Sequence, residues 1–180
     1  MSEKSIYITY NYSESIIKFY ANFFSQKAKD LAPSSLIEKL QKLESYGISQ
    51  QSKLYEFQFL WERYLNSLTS DERLKMENEF ANRLTDYYKA HKRDLEKTGL
   101  VKIKLDGLEI SATGNVPGFP LNQFALDEYQ DNLRIAVTVG ERFGWGFGLG
   151  GGRGESANDI YVLSAARAAM FFHTKTTNWH

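Results

Sequence analysis

The hydrophobic pattern of this 180-residue chain changes period twice, and those changes limit what it can fold into. Ile6–Tyr12 is a β-branched and aromatic run of strand type. From about Ser13 to Thr98, apolar residues recur three and four positions apart, the spacing that lines one face of an α-helix. From Leu100 onward that spacing gives way to short alternating segments punctuated by Gly, Pro, Asp and Asn. The two periods place side chains in geometries that do not interchange. The expected fold is therefore α+β, with about four helices inserted between short antiparallel strands.

The helical zone divides at its breakers. Ser13 is the expected cap of a first helix carrying Ile16, Ile17, Phe19, Tyr20, Phe23 and Phe24. Pro33 ends it, and Ser35 with Glu38 has the spacing of a capping box for a second helix with Leu36, Leu40 and Leu43, stopped at Gly47. A third, from about Ser52, carries Leu54, Phe57, Leu60, Trp61, Tyr64 and Leu68. Thr69 with Glu72 repeats the capping box, and the fourth shows Phe80, Leu84, Tyr88 and Leu95 before Gly99. The stripes Phe19/Phe23 and Phe57/Trp61/Tyr64 are expected to pack between helices, the alternative being a groove for a partner.

The strand zone opens with Leu100–Leu105, an Asp-Gly turn and Leu108–Val116 ending at Pro-Gly. Leu121–Tyr129 follows, then a polar turn at Gln130–Asn132, Leu133–Val139, and Ile160–Leu163. "IYITY", an insertion and "VKIKLDG" weakly echo "RIAVTV", an insertion and "DIYVL". The divisions expected are a first strand at 1–12, a helical insertion at 13–99, antiparallel strands at 100–164, and an atypical tail at 165–180.

Composition removes several function classes. Lys plus Arg equals Asp plus Glu at 22 each, so there is no broad basic field for a nucleic-acid backbone. Lys89, Lys92 and Arg93 are a thin basis for one. Without cysteine there is no disulfide, Cys-ligated zinc or thiol nucleophile. His91, His173 and His180 lack metal-ligand spacing, so neither metal nor cofactor is expected. No run of 18 apolar residues exists to span a membrane, and "MSEKSIYITYNYS" lacks the basic start and apolar core of a signal peptide.

Seven glycines fall between Gly144 and Gly154. A phosphate-cradling loop opens a helix, whose dipole and amides meet the phosphate. This stretch leads instead into "ESANDIYVL", another strand, and has no Lys-Ser/Thr pair. A slack inter-strand loop is the better account, with Trp145 and Phe147 as a candidate binding lip. Asp127 and Glu128 are adjacent on a strand and point to opposite faces, so they do not share a substrate. Asn122, Gln123, Asp127 and Arg134 are expected to tie strand ends and turns.

The run "SATGNVPGFPLNQFALDEYQDNLRIAVTV…NDIYVLS" resembles the C-terminal β-propeller domain of archaeal and some bacterial secreted proteins, a family distantly related to WD-repeat propellers. The resemblance covers roughly residues 2–164. It implies about one and a half propeller-like blades, a fragment rather than a closed propeller of four to eight. It also implies an extracellular parent, whereas the chain itself, showing no export signal, is expected inside the cell. In a propeller the innermost strands line a channel, where Asn122, Gln123, Asp127 and Arg134 are candidate ligand contacts.

Two functions are expected from different classes. The first is a non-enzymatic protein-interaction or scaffold module that self-associates through open strand edges. The alternative is a hydrolase using channel carboxylates, Asp127 or Glu128.

Overall fold

The structure, a computed structural model, describes residues 4–130, 132–140 and 156–164. They divide into two compact units, a β unit of residues 4–13, 96–130, 132–140 and 156–164, and a helical unit of residues 14–95. The α+β expectation is borne out: four helices and two open, three-stranded antiparallel sheets stand among the described residues.

In the β unit, β1 (Ser5–Ser13), β2 (Glu96–Lys104) and β3 (Ile110–Pro117) pair in that order. The second sheet contains β4 (Leu126–Tyr129), β5 (Asn132–Val139) and β6 (Ala157–Ser164), again in order. Alternation sends Leu133, Ile135, Val137 and Val139 of β5 inward with Tyr161 and Leu163 of β6. These pack against Leu100 and Val116 in one buried cluster, with Tyr7 at its margin. The inner faces of the two sheets therefore cover each other, as stacked sheets do.

The passage from one sheet to the next is a knot of buried hydrogen bonds. Gly118 N donates to the Glu96 carbonyl at 2.7 Å, and Thr98 Oγ1 donates to the Gly118 carbonyl at 2.7 Å. The Glu96 carboxylate accepts the Gly140 N–H at 3.0 Å. One residue later, Phe119 exchanges backbone bonds with Thr138 at 3.0 and 2.9 Å. Gly118 has φ +80°, and a Cβ there would stand 2.7 Å from the Thr138 carbonyl oxygen. Only glycine fits both limits.

Several boundaries differ from the sequence expectation. Gly99 is no helix stop: it lies inside β2, opposite Tyr10 and beneath its ring. Pairing of Ser13 with Glu96 and Tyr12 with Lys97 draws residues 96–99 into the ladder, so tertiary contact overrides the local signal. Leu121–Tyr129 is not one strand, because a 3-10 turn at Gln123–Ala125 interrupts it and only Leu126–Tyr129 pairs. β3 begins at Ile110 rather than Leu108, which has φ +52° in the turn after Gly107.

The helical unit contains α1 (Ile16–Lys27), α2 (Ser34–Glu44), α3 (Gln50–Leu65) and α4 (Ser70–Leu95). Ser15, not Ser13, caps α1 by accepting from Lys18 N, since Ser13 is held in β1. Pro33 stands at the α2 cap with no side-chain bond, which leaves Ser35 inside the helix. The Thr69–Glu72 box is present: Thr69 N donates to the Glu72 carboxylate at 2.9 Å, and Glu72 N to Thr69 Oγ1 at 3.4 Å. Phe23, Phe24, Phe57, Trp61 and Phe80 are fully buried, with the Trp61 and Phe80 rings 4.6 Å apart. The aromatic stripes are thus core, as the packing reading expected. The Glu14 N–H donates to the Leu95 carbonyl at 2.9 Å, so the unit's two ends lie side by side.

Gly118→Ala should destabilise by about 1–3 kcal/mol from the backbone conformation alone. Gly99→Ala should change stability by less than about 1 kcal/mol, since the half-exposed Tyr10 ring swings aside and alanine orders the strand. Urea unfolding of the two variants checks this contrast.

Candidate functional site

The candidate residues gather around the entry into the second sheet. Phe119 pairs with Thr138 and Leu126 with Ile135. Residues 120–125 therefore loop out over positions 136 and 137 of β5, six residues against two. Pro120 has no N–H for the ladder, which favours the break. Asn122 closes the loop: its Oδ1 accepts from Phe124 N at 2.8 Å and its carbonyl from Ala125 N at 3.1 Å. Gln123 is exposed beside it.

Asp127 and Arg134 lie directly opposite on β4 and β5. Arg134 Nε donates to Oδ1 at 2.8 Å and its Nη2 donates to Oδ2, a two-point grip on an exposed sheet face. The Arg134 guanidinium also sits 4.9 Å from the Tyr129 ring centre. Hydrogen bonding from Arg134 holds the Asp127 carboxyl below the usual aspartate range. In turn Asp127 raises the guanidinium. A carboxylate so held stays ionised, and so an acceptor, to lower pH than a free aspartate.

Glu128 faces the other way, as the alternation expected. It meets Lys102 Nζ at 2.8 Å, and both side chains are only 14% exposed. Desolvation pulls the Lys102 ammonium down, but hydrogen bonds to Glu128 and Tyr7 outweigh it and leave it raised. Burial pushes the Tyr7 phenol up, so it stays neutral. This trio ties β1 and β2 to β4.

The structure thus joins Asp127 to Arg134, leaves Asn122 serving its own turn, and separates Glu128 onto the inner face. Trp145, Phe147, the glycine loop 144–154, His173, His180 and the tail 165–180 lie outside the described residues. Sequence reasoning missed Leu121 and Phe124, which are 72% and 81% exposed on the looped segment. Pro120 with Asn122 two positions later was the available signal. It also missed the Tyr7–Lys102–Glu128 trio, whose members come from three separated strands.

In the helical unit, a cleft of about 470 Å³ has Leu31, Tyr64, Leu68 and Met76 in its lining, with Arg83 at its rim. Arg83 is held there by Asp30 at 2.8 Å and Glu79 at 3.1 Å. Tyr55 and Phe59, four apart on α3, are each 63% exposed. His91 lies 3.3 Å from Asp94. Among the described residues no three His, Asp or Glu side chains gather as metal ligands, and no helix is long and apolar enough to cross a membrane.

Carboxyl NMR titration should place the Asp127 midpoint below that of free aspartate and return it upward in Arg134→Gln. The stabilisation from this pair is present above the unfolded aspartate value and fades as pH falls through the lowered folded one. Because the pair is exposed, Asp127→Asn should cost less than about 1 kcal/mol.

The chain is 40% identical over 163 residues to an uncharacterised protein of Archaeoglobus fulgidus, covering 91% of this chain and 24% of that one. It is 33% identical over 166 residues to an uncharacterised protein of Methanocaldococcus jannaschii, covering 92% and 25% respectively. It spans about a quarter of the length of these curated relatives. No solved structure gives a significant match. The Beta propeller domain family matches residues 1–177, and the paired antiparallel sheets agree with that assignment. The chain belongs to the beta propeller domain family.

Proposed function

We propose that the chain is a non-enzymatic protein-interaction or scaffold module. The observation that carries this reading is the pairing of its two candidate carboxylates while apolar side chains beside them stand in water. Asp127 is gripped by Arg134 and Glu128 by Lys102, so neither is poised as a general acid or base. Leu121 and Phe124 project from a turn already ordered by Asn122, so a partner covers them at low entropic cost. Gln123, Asp127 and Arg134 supply a polar rim to that contact, in the manner of interface edges. Zero formal charge favours a protein partner over nucleic acid, and the surface needs no cofactor. The outer edges of β1 and β3 also offer backbone groups to an added strand, from another protein or a second copy.

A photo-reactive residue at position 124, introduced in the native host, should form a discrete protein adduct that falls at least severalfold in Leu121→Asp. Circular dichroism confirms that the variants keep their fold. Absence of any adduct would overturn the reading. So would turnover of an ester, phosphoester or glycoside substrate that Asp127→Asn or Glu128→Gln abolishes.

A further inference from the structure

Asn11–Tyr12–Ser13 is the one place where an asparagine of this chain is followed two positions later by Ser or Thr, with a residue other than proline between them. An oligosaccharide transferase reads that spacing, taking the asparagine amide as acceptor and the hydroxyl as its recognition element. Such triplets also arise by chance, so the local geometry decides whether this one is fit to carry a sugar. The triplet closes β1, immediately before the chain departs at Glu14 into the helical unit. Strand pleat puts Asn11 and Ser13 on one face, about 7 Å apart, and turns Tyr12 to the other. Asn11 and Ser13 are both exposed.

The amide of Asn11 is held at one end. Thr98 Oγ1, in a fully buried residue, lies 3.2 Å from Asn11 Oδ1 and shares its proton between that oxygen and the Gly118 carbonyl. Among the described residues Nδ2 has no partner, and neither has the Ser13 hydroxyl. An asparagine present only to cover Thr98 needs its amide oxygen and nothing at position 13. Here the nitrogen and the hydroxyl, the two groups that the transferase requires, are the ones the fold leaves unused.

We infer that Asn11 is an N-glycosylation site, its Nδ2 the acceptor for a saccharide carried on a lipid phosphate. Nδ2 bonds to the anomeric carbon of the sugar, and the bond from that carbon to the phosphate oxygen breaks. The lipid phosphate leaves with the electron pair, and the proton lost from Nδ2 passes to a base of the transferase. The product keeps the amide oxygen and one N–H, so the contact with Thr98 survives modification. The backbone pairing of Asn11 with Thr98 and of Ser13 with Glu96 is untouched, because the linkage involves side-chain atoms alone. Transfer of this kind takes place across the cell membrane, so it requires export of the segment that bears β1. This inference goes beyond the interaction reading above, which concerns the Leu121–Phe124 loop and the strand edges.

The test is mass spectrometry of the full protein purified from its native host, with fragmentation that leaves side-chain modifications in place. The tryptic peptide Ser5–Lys18 should carry a saccharide mass, localised to Asn11. Ser13→Ala should abolish the modification and Ser13→Thr should keep it. Both should leave the circular dichroism unchanged, since the Ser13 hydroxyl bonds to nothing among the described residues. Asn11→Asp, which retains an oxygen for Thr98, should also abolish it. An unmodified Asn11 in that peptide would overturn the inference. So would a saccharide that survives Ser13→Ala, or one localised to a serine hydroxyl, which marks O-linked transfer. Each of these results leaves the interaction function standing.

Discussion

Everything in the β unit depends on how the chain leaves one sheet and enters the next. At Gly118 it turns through a left-handed conformation with the Thr138 carbonyl pressed close against its α-carbon. Three bonds hold that turn, from Gly118 N to Glu96, from Thr98 to the Gly118 carbonyl, and from Gly140 N to the Glu96 carboxylate. Glu96 and Thr98 are 4% and 0% exposed, so any one of these bonds, if lost, leaves a buried polar group unsatisfied. The knot brings the start of β2, the end of β3 and the end of β5 to one place. From there the inner faces of the two sheets meet and the apolar cluster closes.

The same place explains why an 82-residue helical unit is accommodated inside the first sheet, counted from Glu14 to Leu95. β1 ends at Ser13, which pairs with Glu96 at the start of β2. One residue further on each side, Glu14 N bonds to the Leu95 carbonyl. The insertion thus leaves and returns at adjacent positions, where its length costs the ladder no register. Among the described residues its core, built on Phe24, Trp61 and Phe80, is drawn from residues 14–95.

What was legible in the sequence follows the range of the forces involved. Helical stripes are local: Phe23, Phe57, Trp61 and Phe80 sit at helical spacing and are buried as that spacing implies. The opposed directions of Asp127 and Glu128 are also local, since they follow from strand pleat alone. Boundaries set by pairing were not legible. Nothing near Gly99 announces that Tyr10, 89 positions earlier, will claim it for a strand. The partners of the two carboxylates divide in the same way. Arg134 is a hairpin neighbour of Asp127, whereas Lys102 reaches Glu128 only after two sheets have stacked.

The looped segment before β4 shows how a surface of this kind arises without extra machinery. A β-strand that must pair at Phe119 and again at Leu126 has room for two residues between those points, and this chain supplies six. The surplus cannot enter the buried side, which the inner cluster fills, so it is expelled outward. Asn122 then takes up two of the loop's backbone N–H groups, those of Phe124 and Ala125, which lowers the cost of ordering it. The apolar residues of the loop gain nothing from the fold in return. Leu121 and Phe124 are left in water by a turn that Asn122 holds, and a surface that is ordered, apolar and unburied is stabilised only by what docks on it.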